Sequence, residues 1–201
     1  MGLADLAQDV CDTGRSLFAR GLTHGRTGNL SVRKHDRILV TPSGVSLGDL
    51  TPEQLSEVNL DGTHLSGPKP SKETFLHLAL YRARPTAAAV AHTHSTHTAA
   101  LSCLVDVDDA DALPPLTAYY VMRVGQLPRL PYYAPGDPDL GPLVETAAHR
   151  HHALLLSNHG AVAASDTLAT AVDVIEEVEE TARVFFILHQ HRARVVGGMV
   201  S

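Results

Sequence analysis

The spacing of apolar residues predicts a helix near each end of the chain. Over residues 3–20, apolar side chains recur at close to a helical period, and Gly21 follows as a residue that commonly ends a helix. Residues 167–190 show the same period, and the acidic run at residues 176–180 lies between the apolar positions. We therefore expect a partly exposed first helix and a long last helix whose acidic run forms a solvated face.

Between these helices, short strand patterns alternate irregularly with helix patterns. The predicted strands are residues 30–33, 38–41, 58–60, 88–93, 116–124, 127–130 and 153–156. The predicted helices are residues 52–55, 72–82, 95–103 and 143–151, with Ser71 as a cap for the second of these. Several hairpin signals argue against a purely parallel sheet. The pattern therefore favours an α/β fold in which a mixed sheet has helices on both faces.

The segment AAAVAHTHSTH contains the clearest candidate chemistry. Alternation along the predicted strand 88–93 places His92 and His94 on one face, about 7 Å apart along the backbone, so both imidazoles can reach one metal ion. A third candidate is His159, which follows the apolar run 153–156 and precedes a glycine that would let the backbone turn. Three neutral imidazoles leave a coordination position open, as catalytic zinc sites require.

Chance remains an alternative explanation for this spacing. The chain has 13 histidines, and His149, His151 and His152 form a similar cluster that we expect at a polar helix end. Short motifs produce many accidental matches. Spacing alone therefore leaves both interpretations open.

Composition narrows the classes of function. A chain of 201 residues with 44% hydrophobic residues predicts one domain over residues 1–201, with a flexible tail from about residue 192. A net charge of −6 argues against nucleic-acid binding, and no apolar run approaches the roughly 18 residues of a membrane span. With only Cys11 and Cys103, we expect no disulfide framework, two small buried thiols and a cytoplasmic location.

Five motifs in order resemble the class II aldolase and adducin head family. They are TGNLSVR, TPSGVSLGDLTPEQL, GPKPSKETFLHLALY, VAHTHS and SNHGAV, and together they extend over roughly residues 5–190. The resemblance implies a three-layer αβα fold with a mixed, mainly antiparallel central sheet and a homotetramer with active sites at subunit interfaces. It also implies one divalent ion per subunit, usually Zn²⁺ with Mn²⁺ or Co²⁺ as alternatives, held by His92, His94 and His159.

The same resemblance implies roles for residues in the turns. The family's catalytic carboxylate falls on Glu73. Its phosphate loop falls on Gly28, Asn29, Ser43, Gly44 and Ser71. Each of these five residues is a Gly, an Asn or a Ser in a turn or before a helix, where N–H and hydroxyl groups can surround a phosphate.

One departure indicates a branch of the family. Fuculose-phosphate aldolases have a second Ser where this chain has Lys72, and PSKE together with residues 114–137 resembles the branch that decarboxylates 3-oxo-tetronate 4-phosphates. That implies a carboxy-lyase of carbohydrate metabolism that forms carbon dioxide and dihydroxyacetone phosphate. Its metal-stabilised enediolate would take a proton from Glu73. Lys72 would place its charge near the phosphate or the departing carboxylate.

Two matters stay open at this point. Tyr119 or Tyr120 could donate a hydrogen bond from a neighbouring subunit, and only one would face the site if both lie on a strand. The alternative functions are a fuculose-phosphate type aldolase, a pentulose-phosphate 4-epimerase, and a non-enzymatic module like the adducin head.

Overall fold

The computed structural model describes residues 2–188, 191 and 193–196. The helices are α1 Leu3–Ala19, α2 Thr74–Ala83, α3 Thr96–Ser102, α4 Ala118–Arg123, α5 Gly141–Ala148 and α6 Leu168–Leu188. The strands are β1 Asn29–Lys34, β2 Arg37–Val40, β3 Ser56–Asn59, β4 His64–Ser66, β5 Ala89–Thr93, β6 Arg129–Leu130, β7 Ala153–Leu156 and β8 Gly160–Ser165. Short 3-10 helices occupy Leu47–Asp49, Pro52–Gln54 and Pro138–Leu140. The predicted flexible tail lies largely outside the described residues.

All eight strands form one sheet in the order β4-β3-β2-β1-β5-β8-β7-β6. Every neighbouring pair is antiparallel except β6 and β7, which are parallel. This confirms the predicted mixed, mainly antiparallel sheet. Strand β5 lies in the middle, where His92 pairs with Asn29 of β1 and with Val162 of β8. The predicted metal-binding strand is therefore central.

The sheet separates two apolar layers, because successive side chains of a strand point to opposite faces. Leu30 and Val32 pack with the buried faces of α1, α3, α4 and α6. The opposite layer contains α2 and α5, whose Leu80 and Val144 pack against Val90 and other sheet residues. Helices thus flank the sheet on both faces, as the three-layer prediction requires.

The strand prediction over residues 116–124 was wrong, because most of that segment is helix α4. Its aromatic and β-branched residues favour a strand, but Thr117 Oγ1 caps the helix by accepting a hydrogen bond from Tyr120 N at 3.0 Å. Packing of α4 on α6 then buries Tyr120 completely and leaves Tyr119 61% exposed. The strand argument for choosing between these two tyrosines therefore fails. Of predicted strand 127–130, only Arg129–Leu130 pairs with the sheet.

Other differences are local. Helix α2 begins at Thr74, two residues later than predicted, and Ser71 Oγ accepts a hydrogen bond from Glu73 N at 3.3 Å just before it. Cys11 is buried as predicted, whereas Cys103 is exposed. No helix in the described part of the chain is both long and apolar enough to cross a membrane.

The acidic run of α6 is not simply a solvated face. Glu179 accepts hydrogen bonds from His97 N at 3.0 Å and from Thr98 N at 2.8 Å, so it caps the first turn of α3. Burial raises the pKa of Glu179, but the hydrogen bonds from His97 and Thr98 outweigh it and hold the pKa below its usual range. Because α3 begins two residues after His94, this carboxylate also anchors the segment that carries His92 and His94.

We predict that Glu179→Gln lowers the free energy of unfolding at pH 7 by about 1 to 2 kcal/mol, because a charged cap is lost. A carboxyl group whose pKa is lower in the folded state stabilises the protein above its unfolded pKa, and this contribution disappears as the pH falls. The difference in unfolding free energy between variant and wild type should therefore narrow below about pH 4.5, the unperturbed pKa of a glutamate.

Urea unfolding of the metal-free proteins at pH 7 and pH 4 measures this effect. Glu180→Gln is the matched control, because Glu180 is exposed and pairs with Arg183 on the same helix. Equal losses for both variants, or a Glu179→Gln loss that does not change with pH, would contradict the capping role.

Candidate metal centre

His92 and His94 converge as their spacing predicts. His92 is fully buried in β5, His94 follows directly after the strand, and their Nε2 atoms lie 3.0 Å apart. His92 Nδ1 lies 2.9 Å from the carbonyl oxygen of Ala161 and donates its hydrogen to it. That hydrogen bond leaves the lone pair of His92 Nε2 directed at the cluster, which is the usual arrangement for a metal-binding histidine.

His159 reaches the same point from the turn between β7 and β8. Its backbone N–H donates to Ser102 Oγ at 3.0 Å, and the N–H of Asn158 donates to the Ser102 carbonyl oxygen at 3.1 Å. The end of α3 therefore holds this turn in place. His159 Nε2 lies 3.1 Å from Glu73 Oε1, yet it is a buried nitrogen without a hydrogen-bond partner among the described residues.

Glycines let the neighbouring segments of the chain approach β5 closely. The sequence interpretation assigned Gly160 to a turn, but Asn158 adopts the left-handed conformation there, with φ of 55°. A Cβ on Gly160 would instead collide with the carbonyl oxygen of Thr93. On the other side, a Cβ on Gly28 would lie 2.9 Å from the carbonyl oxygen of His92. The close packing of β8 and of the residue before β1 on β5 thus depends on a missing side chain at each position.

Glu73 completes the cluster from the first residue before α2. It is 4% exposed, and its Oε2 accepts a hydrogen bond from Asn29 Nδ2 at 2.8 Å and lies 3.5 Å from His92 Nε2. Ligand atoms of Glu73, His92, His94 and His159 all lie within 4.8 Å of one another. Burial raises the pKa of Glu73, but the close approach of His159 and His92 and the Asn29 hydrogen bond together hold it below its usual range.

The donor atoms fit a divalent transition-metal ion. Burial lowers the pKa of His92 and lowers that of His94 to about 3, so both imidazoles are neutral, which is the form that binds metals. The facing Nε2 atoms of His92 and His94 and the unpartnered Nε2 of His159 are satisfied together if one cation lies among them. The cluster can therefore hold a metal ion.

A cavity of about 240 Å³ opens beside this cluster. It is lined by all five residues of the predicted phosphate loop, namely Gly28, Asn29, Ser43, Gly44 and Ser71. Lys72, Glu73 and His94 line it as well, so the structure brings the predicted phosphate-binding, catalytic and metal-binding residues together. Arg26 also lines the cavity and was not predicted. The sequence feature that could have identified Arg26 is a positively charged residue within the glycine-rich turn that also contains Gly28.

Hydrogen bonds and packing hold the two sides of this cavity. Ser43 Oγ accepts from Lys72 N and donates to the Pro70 carbonyl oxygen, both at 3.2 Å. The stem of Lys72 packs over Gly136, where a Cβ would lie 3.1 Å from Lys72 Cδ. The loop that carries Gly136 thus lies against Lys72. This contact joins PSKE to residues 114–137, the two segments on which the resemblance to the decarboxylase branch rests.

The structure does not bring Tyr119 into the cavity of its own chain. Tyr119 lies on the exposed side of α4, where the guanidinium of Arg123 stacks 5.5 Å from its ring centre. Tyr120 is in the core, and its hydroxyl has no hydrogen-bond partner among the described residues. The alternative histidine cluster also lies elsewhere, since His152 Nε2 donates to the carbonyl oxygen of Arg123.

A family model described as the Class II Aldolase and Adducin N-terminal domain matches residues 8–186. The chain belongs to this family. A Haemophilus influenzae member named 3-oxo-tetronate 4-phosphate decarboxylase is 47% identical over 195 residues, which cover 96% of this chain and 93% of that protein. An L-fuculose phosphate aldolase from the same organism is 34% identical over 185 residues, covering 90% and 82% respectively.

Family membership extends to the three-dimensional fold. The crystal structure of YgbL from Klebsiella pneumoniae has a TM-score of 0.96 and 41% identity, and the match covers 98% of this chain and 96% of that one. The resemblance inferred from five motifs and the predicted three-layer fold are both confirmed.

We predict that His92→Ala, His94→Ala and His159→Ala each lose bound metal, because each removes one nitrogen of the cluster. His97→Ala and His151→Ala are matched controls, because both side chains lie outside it. Elemental analysis of the purified variants measures metal content. Full occupancy in the His159→Ala variant would rule out a site made by all three histidines.

Proposed function

We propose that this family member is a metal-dependent carboxy-lyase that converts a 3-oxo-tetronate 4-phosphate into dihydroxyacetone phosphate and carbon dioxide. The supporting observation is that the three-histidine cluster and Glu73 adjoin a cavity lined by phosphate-loop residues and by the cations Arg26 and Lys72. The greater identity to the protein named as a decarboxylase than to the one named as an aldolase supports this choice of reaction.

The substrate has a carboxylate at C1, a hydroxyl at C2, a ketone at C3 and a phosphate at C4. Cleavage of the C1–C2 bond releases carbon dioxide and leaves an electron pair that is delocalised onto the C3 oxygen. We propose Zn²⁺ as the ion held by His92, His94 and His159, with Mn²⁺ or Co²⁺ as alternatives, one per subunit. When bound, the ion would supply Lewis-acid stabilisation of that negative charge.

Glu73 is the proposed acid that delivers one proton to C2, after which solvent restores the proton. Burial alone favours its protonated form, but His159, His92 and Asn29 hold the pKa of the Glu73 carboxyl group below its usual range. The resting group is therefore ionised, and the proton that it delivers to C2 is one taken up from solvent during turnover.

The phosphate end of the substrate is proposed to lie against Gly28, Asn29, Ser43, Gly44 and Ser71. Their backbone N–H, amide and hydroxyl groups are suitable donors to a phosphate dianion. The substrate also carries a carboxylate, and the cavity has two cations, Arg26 and Lys72, for its two anionic groups. Lys72 serves one of them as a point charge, and Arg26 can form a two-pronged hydrogen bond with the other.

We also propose a single domain over residues 1–201, a homotetramer with active sites at subunit interfaces, and a cytoplasmic location. Tyr119 is the residue that would enter a neighbouring subunit's site, since it is 61% exposed and lies outside the cavity of its own chain. The cytoplasmic proposal rests on two free thiols, one of them exposed. The homotetramer proposal rests on the family resemblance.

We predict that zinc-loaded protein releases carbon dioxide and dihydroxyacetone phosphate from the phosphorylated 3-oxo acid. It should act at least about tenfold more slowly on the unphosphorylated acid, because phosphate contacts are charge-assisted hydrogen bonds. Coupled assays for the two products measure both rates. Carbon–carbon cleavage of fuculose 1-phosphate with no carbon dioxide from the oxo acid would instead favour the aldolase.

We predict that Glu73→Gln retains metal but loses turnover by about 100-fold or more, because the amide cannot deliver the proton. Glu53→Gln is the matched control, since Glu53 is exposed and lies outside the cavity. Carbon dioxide release and solvent deuterium at C2 of the product provide the measurements. Near-normal rates in Glu73→Gln would remove this carboxylate from the reaction.

A further inference from the structure

A line of buried polar side chains leads from Glu73 into the layer between β1 and α2. Asn29 Nδ2 lies 2.8 Å from Glu73 Oε2, and Asn29 Oδ1 lies 2.5 Å from His77 Nε2. His77 Nδ1 lies 2.7 Å from Ser31 Oγ, which in turn lies 2.8 Å from the hydroxyl of Tyr81. His77, Ser31 and Tyr81 are fully buried, so water does not compete for these contacts.

Regular secondary structure explains how these five side chains meet. Asn29 and Ser31 are two residues apart on β1 and therefore face the same side of the sheet. Glu73, just before α2, and His77 and Tyr81 within it follow one another at intervals of four residues. They therefore form a row on one face of the helix. Two rows packed against each other produce an alternating chain of contacts.

The chemistry of each group gives the chain one direction. An amide nitrogen only donates hydrogen bonds and an amide oxygen only accepts them, so Asn29 donates to Glu73 from Nδ2 and presents Oδ1 to His77. His77 must therefore donate from Nε2. Burial lowers the pKa of His77 to about 3, so the ring is neutral and carries no second hydrogen. Its Nδ1 then accepts from the Ser31 hydroxyl, and Tyr81 donates to Ser31.

We propose that His77 is a positioning residue that, supported by Ser31 and Tyr81, fixes the amide of Asn29 with its N–H side toward Glu73. An Asn29 amide that was free to rotate could turn its oxygen toward the Glu73 carboxylate, and the two oxygens would repel each other. The fixed amide holds the Glu73 carboxylate beside the three histidines. This inference rests on the proposed catalytic role of Glu73, and it adds three residues with no contact to the cavity.

The simpler explanation is that the chain only satisfies polar groups in the core. Under that explanation, removing His77 lowers stability but leaves turnover per folded molecule unchanged. Under our proposal, His77→Leu lowers kcat by about 10- to 100-fold, the usual range for a residue that orients an active-site group. Metal content stays near wild type, because the three histidines are intact.

Two further variants sharpen the comparison. His77→Gln should recover part of kcat, because a glutamine amide can donate to Asn29 Oδ1 in place of the ring. Leu80→Ala is the matched control, since Leu80 is a fully buried apolar residue on the same helix and does not belong to the chain of hydrogen bonds. It should lower the melting temperature without lowering kcat at a temperature where it is folded. Unchanged kcat in folded His77→Leu would overturn the proposal.

A readout independent of activity is the tautomer of His77 in ¹⁵N-histidine labelled protein. Two-bond ¹H–¹⁵N correlations at pH 7, assigned by the signal missing from His77→Gln, should show hydrogen on Nε2 and none on Nδ1. Hydrogen on Nδ1 would reverse the direction of the hydrogen bonds and overturn the inference. If the wild type fails to decarboxylate the oxo acid, the proposed function fails, and the tautomer still decides the direction of the chain.

Discussion

Burial of a carboxylate among three imidazoles is the constraint on which the rest of this structure depends. Unpaired polar groups in a protein interior cost several kcal/mol each, roughly 2 to 7 for a neutral group and more for an ion. Two hydrogen bonds offset part of that cost: an amide from β1 donates to Glu73, and a carbonyl oxygen of β8 accepts from His92. The ligand atoms that remain without such partners are those that a cation would bind.

The short helix α3 connects the two parts of the chain that supply these ligands. Its first residue follows His94 by two positions, and its last residue, Ser102, accepts the hydrogen bond from the backbone of His159. The carboxylate of Glu179 fixes the start of the helix from α6. Movement of α3 would displace both histidines, so the helix fixes the relative position of two distant segments of the chain.

Features of the fold and site that depend on local periodicity could be predicted from the sequence. Alternation along one strand was enough to place His92 and His94 together, and an apolar run was enough to suggest His159. Strand β8 was not predicted, because its alanine-rich sequence has little strand preference of its own and pairs through its position between β5 and β7. Helix α4 was mistaken for a strand because packing on α6 overrode residue preference.

Contacts between distant residues were beyond the reach of the sequence. Asn29 and His77 are 48 positions apart, and no local pattern joins them. The reason for Gly160 was also hidden, since the obstacle to a side chain there is the carbonyl oxygen of Thr93 on another strand. The predicted phosphate loop and the predicted role of Glu73 came from the motif resemblance, whereas periodicity alone would have left these residues as turns.

The glycines beside β5 divide the site into a rigid half and an adaptable half. Backbone lies against backbone where Gly28 and Gly160 face β5, so neither position can acquire a side chain without moving the backbone. Around Gly136 the neighbour is instead the flexible stem of Lys72, although the φ of 90° at Gly136 itself favours glycine. An engineer seeking a different substrate would therefore leave the three glycines and the histidines unchanged and vary the other residues of the loop over Lys72.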